Sequence, residues 1–600
     1  MTQQFHNYPE RRKGPDVPNQ FEDISLPVLR GSSLEIGATI VHWSGFLQNL
    51  LWRNAELNTF HSLPELANYP PRYDPTVTPV QQPSWTDSSE AKEIPAPVKK
   101  LSSETTGYYT SVDYHQRYLA GEISPTDVVE ALLPLIQRGS DGKPSGKFSV
   151  GFLETRADLV RAAAAESTKR YKEGKPLGPL DGVPVAVKDE VHLKGYGRCL
   201  GSKLDFKRGI DETSWCVRKW EEAGAIIIGK TNMHEVGIDT NNNNPNYGTP
   251  LNPHNPNYYC GGSSGGSGYA LAAGLVPIAL GADGGGSIRI PSSFCGVYGL
   301  KTTHGRVSGA PTPSIAPSVG VLGPMAVSVD DLALAYRLMA APVPAELDGT
   351  SARFPDPRTE IGAKPRPKTI GLVRSWIARA EPSVRERFDA AVQQYVERKG
   401  YKTVDIEIPF LTQGQRAHAL TILAELASGL EGTDPGKWLP HTRLLVSVSG
   451  SHSTGLDYVA AQKLRGLLMS HLADLFRTYS RSDDGGSDLL IVTPTTPLPG
   501  WEISGGQCDL THGISDARKT TRNMEFAWLA NFVGCPAVNI PVGYDPKSSV
   551  PIGLMAMGEW GAEEALLGFA YDGEEILGEL KRPSREDGAW VDVIDLVRKK

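Results

Sequence analysis

Cysteine is scarce in this chain, with six residues among 600: Cys199, Cys216, Cys260, Cys295, Cys508 and Cys535. None falls in a C-x-x-C pair and no dense framework is present. That points to free thiols in a reducing compartment and away from a Cys-ligated zinc site. Positive charge is not in excess either. Sixty-one Lys+Arg against 68 Asp+Glu leave −7, so there is no general basic field for nucleic acid. The first residues, MTQQFHNYPERRKGPD, lack the basic-then-apolar build of a secretory signal. The longest uncharged stretch near them, Ile36 to Trp52, contains His42, Gln48 and Asn49 and falls short of the ~20 apolar residues that span a bilayer. We read it as a docking helix in preference to one lying on a membrane surface. The 13 histidines form no metal-spaced cluster, so no metal site is expected. Internal repeats are absent. These exclusions describe a cytoplasmic chain with no integral membrane span and no nucleic-acid partner.

What is present is an ordinary globular composition, 40% apolar and 22% charged, on a chain long enough for a large core. Residues 1–110 read as an N-terminal arm. Pro64, Pro70, Pro71, Pro75, Pro79, Pro83, Pro95 and Pro97 favour an extended path. Tyr69, Tyr73 and Trp85 between them need a surface to cover, either the body or a second copy of the chain in a homodimer. Regular helix patterns begin at Ser111. Ser124-Pro125 opens a helix over 126–137 with a kink expected at Pro134, and another helix runs from Arg156 to Tyr171.

From about residue 180 short apolar strands alternate with helices: VPVAVK (183–188), AIIIG (225–229) and LVPIALG (275–281). After a Pro/Gly/charge-rich linker at 341–367 come TIGLV (369–373), an alternating Val404, Ile406 and Ile408, and LLIVTP (489–494). Val384, Phe388, Ala391, Val392 and Tyr395 mark one helix face closed by Gly400. The expected fold class is α/β: residues 111–600 as a single large α/β/α domain, a central mixed twisted sheet flanked by helices, carrying the proline-rich arm.

Two motifs match patterns without their mechanisms. GAIIIGKT (224–231) has the letters of a phosphate loop, but a helix precedes Gly224, and Ala225 to Ile228 is itself the apolar strand. GGSSG (261–265) has the letters of a nucleophile elbow, yet the preceding LNPHNPNYYC cannot be a buried strand.

GPLDGVPVAVKD (178–189), AGAIIIGKTNMHE (223–235), NPNYGTPLNPHNP (244–256), GGSSGGS (261–267) and GADGGGSIRIPSSFCGVYGLKTT (281–303) succeed one another along the chain. NFVGCPAVNIPVGY (531–544) and PIGLMAMG (551–558) close it. In this order the segments resemble the amidase signature family, hydrolases of carboxamide bonds that use a Ser–cis-Ser–Lys triad. The likeness covers roughly residues 111–600. It implies that Ser287 is the nucleophile, that Ser263, after a cis peptide, is the bridging serine, and that Lys188 is the base. It also implies a hydrolase of linear, non-peptide carboxamides with a side esterase activity, a small-molecule amide as substrate and no cofactor. The family often has a bulkier residue where this chain has Gly284, which implies a looser loop beside the nucleophile.

The chemistry suits these residue types. A serine hydroxyl needs a base within hydrogen-bond reach. A lysine serves only when neutral, and a lysine ending an apolar strand is placed for burial, which disfavours the charged form. Gly284, Gly285 and Gly286, with no side chains in the way, can offer their N–H groups with that of Ser287 as an oxyanion hole. Asp283 and Arg289 read as a pair that pins this loop. Trp43, Trp52 and Trp438 read as core residues. Two other functions fit the same segments: the glutaminase component of a tRNA amidotransferase, and a non-catalytic binding protein on the same fold.

Overall fold

The computed structural model describes residues 5–80, 107–204, 206, 210–362, 366–480, 486–577 and 588–599. Pro83, Trp85, Pro95 and Pro97 of the arm lie outside the described residues. Eleven strands form one central sheet. In chain order they are β1 (Phe152–Glu154), β2 (Pro184–Lys188), β3 (Ile226–Thr231), β4 (Ile278–Asp283), β5 (Tyr298–Lys301), β6 (Val321–Ala326), β7 (Thr369–Leu372), β8 (Lys402–Asp405), β9 (Leu489–Pro494), β10 (Ala537–Tyr544) and β11 (Pro551–Met557). Their spatial order is β8-β7-β9-β11-β10-β5-β6-β4-β2-β3-β1. The sheet is mixed: β2 runs parallel to both β3 and β4, and β4 pairs antiparallel with β6.

The apolar runs become central strands because both faces of the sheet are covered. Along β9, Leu489 and Ile491 join one buried cluster while Leu490 and Val492 join the other. This two-residue alternation is that of a pleated strand with a core on either side. The helix Pro382–Lys399 buries the five residues Val384, Phe388, Ala391, Val392 and Tyr395, and ends at Gly400 with φ +68°. The readings at 225–229 and 275–281 shift by up to three residues, to Ile226–Thr231 and Ile278–Asp283, and the edge strand β8 is the shortest match to its pattern. β8 stops at Asp405, and Ile406 and Ile408 are buried beyond its end. The phosphate-loop lookalike is strand β3. Lys230 within it is buried, donating to the Val191 carbonyl at 2.7 Å and pairing with Asp189 at 3.2 Å.

The arm is more helical than its prolines suggest, because none falls between Pro27 and Pro64. Helices Gly31–Trp43 and Gly45–Ala55 follow one another, with Ser44 ending the first and capping the second. Leu34, Ala38 and Val41 pack with Leu444, so the stretch docks on the body as a helix. Its other face is open: Ile36, Ile40, Phe46 and Leu50 are exposed, and Trp43 is 82% exposed. Trp43 therefore does not belong to the core, whereas Trp52 and Trp438 are buried. Farther along the arm Phe60, Leu66, Tyr69 and Val77 are buried in the cluster that contains Phe532 and Trp560. Tyr8 donates to Glu559 Oε1 at 2.7 Å. Among the described residues no helix is long and apolar enough to cross a membrane.

Candidate active site

Strands β2 and β4 lie side by side and parallel, Val187 opposite Leu280, so their carboxyl ends open on the same edge. Ligand crevices of α/β sheets form at such edges. Lys188 is the last residue of β2 and Asp283 the last of β4. Ser287 sits in the turn between β4 and the helix Arg289–Cys295, and Ser263 in the loop before the helix Gly265–Ala272.

The three residues singled out from sequence converge. Lys188, 1% exposed, reaches Ser263 Oγ with Nζ at 2.9 Å and the Ala282 carbonyl at 3.3 Å. Ser263 N and the Gly262 carbonyl belong to a cis peptide bond. A Cβ at Gly262 would lie 2.7 Å from Asn242 N and 2.9 Å from the Asp239 carbonyl oxygen, so only glycine fits there. Ser287 and Ser263 line the same cavity as Lys188. The Ser287 hydroxyl has no hydrogen-bond partner among the described residues, and the residue keeps 8% exposure.

Glu190 joins them without having been marked by any motif. Its Oε2 stands 3.0 Å from Lys188 Nζ. Lysine is thus bracketed by a hydroxyl, a carbonyl and a carboxylate. Glu190 stands in the turn after β2 ends at Lys188, so strand periodicity did not announce it.

The loop carrying Ser287 is tied at several points. Asp283 and Arg289 form a bidentate, fully buried pair, 3.0 Å at each contact. Burial pushes the Asp283 carboxyl up, but the Arg289 charge outweighs it and holds the group well below the usual carboxylate range. Asp283 also accepts from Gly286 N at 2.6 Å and Ile288 N at 3.1 Å. This corrects the expectation for Gly286: its N–H is spent on Asp283 and does not face the cavity. The backbone there has φ +120°, which suits glycine alone. The N–H groups of Gly284, Gly285 and Ser287 have no acceptor among the described residues, and all three residues line the cavity. Gly284 does not loosen the loop as expected, because its carbonyl accepts from His418 Nε2 at 2.7 Å and Asn531 Nδ2 donates to the Asp283 carbonyl at 2.7 Å. His418 carried no local sequence signal, and Asn531 opens the marked segment 531–544 without its role being legible there.

The cavity measures about 440 Å³. Beyond the two serines its walls are mostly apolar, with Val236, Ile315, Leu423 and Leu426 from the body. Leu26, Ala55 and Leu57 come from the arm, so the arm shapes this site. Asp239 and His441 add a polar patch, and His234 packs behind it with its backbone N–H on the Ser263 carbonyl at 3.2 Å. Burial pushes both imidazoles down to about 4.

The family described as Amidase matches residues 149–567. The chain belongs to the amidase signature family. It is 35% identical to a fatty acid amide hydrolase of Medicago truncatula over 81% of this chain and 79% of that protein. It is 33% identical to one component of the glutamyl-tRNA(Gln) amidotransferase of Thermus thermophilus, over 78% and 98% respectively. Among solved structures, a chain of the vestigial protein complex tied to the origins of an s-triazine catabolic enzyme aligns with a TM-score of 0.67 at 28% identity. That alignment covers 79% of this chain and all of the other. The protein is therefore an amidase signature hydrolase.

Proposed function

We propose that this amidase signature hydrolase cleaves carboxamides that carry a long apolar acyl chain, through an acyl-enzyme on Ser287. The observation that carries the reading is the 2.9 Å contact between Lys188 Nζ and Ser263 Oγ on the cavity that also holds Ser287. Glu190 and the Ala282 carbonyl take two N–H bonds of Lys188, which leaves its third position to accept the Ser263 proton when the amine is neutral. Ser287 Oγ attacks the amide carbon, and its proton passes through Ser263 to Lys188. The N–H groups of Gly284, Gly285 and Ser287 receive the oxyanion. Collapse breaks the C–N bond, the relay returns the proton to the leaving amine, and water then releases the acid.

The apolar walls support an aliphatic acyl group, and the likeness to the Medicago fatty acid amide hydrolase points the same way. Glutamine, the substrate of a glutaminase, would set a charged amino acid against walls that are mostly apolar, at a desolvation cost that an aliphatic chain does not meet. The test is a panel of primary amides of rising chain length beside glutamine, with intact-mass detection of the acylated serine. Each methylene buried contributes about 0.8 kcal/mol, so kcat/KM should rise about fourfold per carbon until the cavity is full. A flat series, or turnover of glutamine alone, overturns the assignment.

A further inference from the structure

His234, Asp239 and His441 bring one imidazole nitrogen, one carboxylate oxygen and a second imidazole nitrogen within 4.8 Å of one another, all three side chains buried. No local spacing announces the cluster, because His441 comes from the helix Pro440–His452, while His234 and Asp239 flank the turn after β3. We propose that this cluster is a binding site for a divalent transition cation of the zinc class, on the wall of the amide cavity.

His441 supplies the strongest argument. It is 5% exposed and neither ring nitrogen has a hydrogen-bond partner among the described residues. Buried polar atoms are nearly always satisfied, so two orphaned nitrogens on one ring leave a need that the protein does not meet itself. Nε2 lies 3.4 Å from Asp239 Oδ2, close enough to share an ion and too far for a good hydrogen bond. His234 faces the same point, its ring 5.5 Å from that of His441 and nearly perpendicular to it. Its Nδ1 lies 3.3 Å from the Glu235 carbonyl. In the tautomer that donates this bond Nε2 keeps its lone pair, the arrangement that outer partners impose on metal-bound histidines.

Asp239 is held for the role. Its Oδ1 accepts from Thr240 N at 2.5 Å and Thr520 Oγ1 at 2.8 Å. Its Oδ2 accepts from Asn241 Nδ2 at 3.1 Å and keeps a lone pair toward His441. Glu235, next to His234 in the chain, is engaged elsewhere by Ser202, Asn246 and Leu439 N, so the donor set is two histidines and one aspartate. That set suits zinc, cobalt or ferrous ions over magnesium or calcium. Asp239 and His441 both face the cavity, which leaves a fourth position open to water or to a ligand entering it.

The test uses the full-length, untagged chain stripped with EDTA, titrated with zinc chloride in a calorimeter and with cobalt chloride in a spectrophotometer. The expected result is one saturable zinc site per chain and visible ligand-field bands from four- or five-coordinate cobalt. His441→Leu, which breaks no hydrogen bond, should abolish the bands and weaken zinc by more than the roughly 10–100-fold that loss of an outer partner produces. Asp239→Asn should weaken it too, and circular dichroism with melting curves identifies a variant that has not folded. Absence of saturable zinc binding in the parent overturns the proposal. So does equal zinc affinity in parent and folded His441→Leu, which would assign the metal to other histidines. Turnover plays no part in these readouts, so they stand apart from the amide-hydrolase reading.

Discussion

Lys188 Nζ lies 2.9 Å from Ser263 Oγ, although the two residues are 75 positions apart. The contact exists because β2 ends where the loop before the helix Gly265–Ala272 crosses the sheet edge. If it carries the proton from Ser287, Lys188→Ala should lower kcat on amides by about 10²–10⁴. Lys188→Arg should not restore the rate, since guanidinium stays protonated. Steady-state kinetics decides, and an arginine variant near the parent rate removes lysine as base.

Ser287→Ala should lower kcat by about 10⁴ or more and leave the melting temperature near that of the parent. The hydroxyl gives up no protein hydrogen bond among the described residues. A fluorophosphonate should label the parent and not the variant, read by intact mass. Labelling of Ser287→Ala at the parent rate would mean that another residue is the nucleophile.

Asp283→Asn leaves Arg289 buried with its counter-charge gone, which should destabilise the protein by about 3–5 kcal/mol near neutral pH. The Asp283 carboxyl lies below its ordinary range in the folded state, so its contribution is complete above the unfolded value of about 3.9. It is lost as pH falls toward the folded value. The gap in denaturation midpoint between parent and variant should therefore stay constant from pH 7 to about 5 and narrow below about 4. A gap unchanged down to pH 3 contradicts the ion-pair account.

Leu423→Trp fills part of the apolar wall of the cavity. Long-chain amides should lose kcat/KM by about tenfold or more, through KM, while short-chain amides keep theirs. Equal losses across chain length would place the acyl group elsewhere.

Deleting residues 1–80 should do more than trim an appendage. It removes Leu26, Ala55 and Leu57 from the cavity and uncovers Trp560, whose ring meets Tyr8 at 5.4 Å. Aggregation, seen by size-exclusion chromatography with light scattering, and loss of long-chain activity are the expected outcome. A monodisperse truncation with parental kinetics defeats this view of the arm.

Much of this protein could be read from local sequence. Both-face burial writes continuous apolar runs, so Pro184–Lys188 and Leu489–Pro494 were visible as strands, and the run 275–281 marked the first four residues of Ile278–Asp283. The helix face from Val384 to Tyr395 showed in its spacing, and the ordered glycine-serine segments carried the family and named Lys188, Ser263 and Ser287. These features depend on periodicity and on residues close in the chain. What the fold alone decided depends on which distant atoms meet. Gly286 looked like any glycine of its loop until Asp283 was seen to take its N–H. Trp43 looked like core because an aromatic side chain does not state which face of its helix is covered. His418 ties the Ser287 loop from a position with no local mark, Asn531 from a marked segment that did not state its partner, and His441 reaches His234 and Asp239 only after the helix Pro440–His452 has packed. Hydrogen-bond partners, counter-charges and cavity walls are properties of assembled surfaces, and the linear order of residues does not contain them.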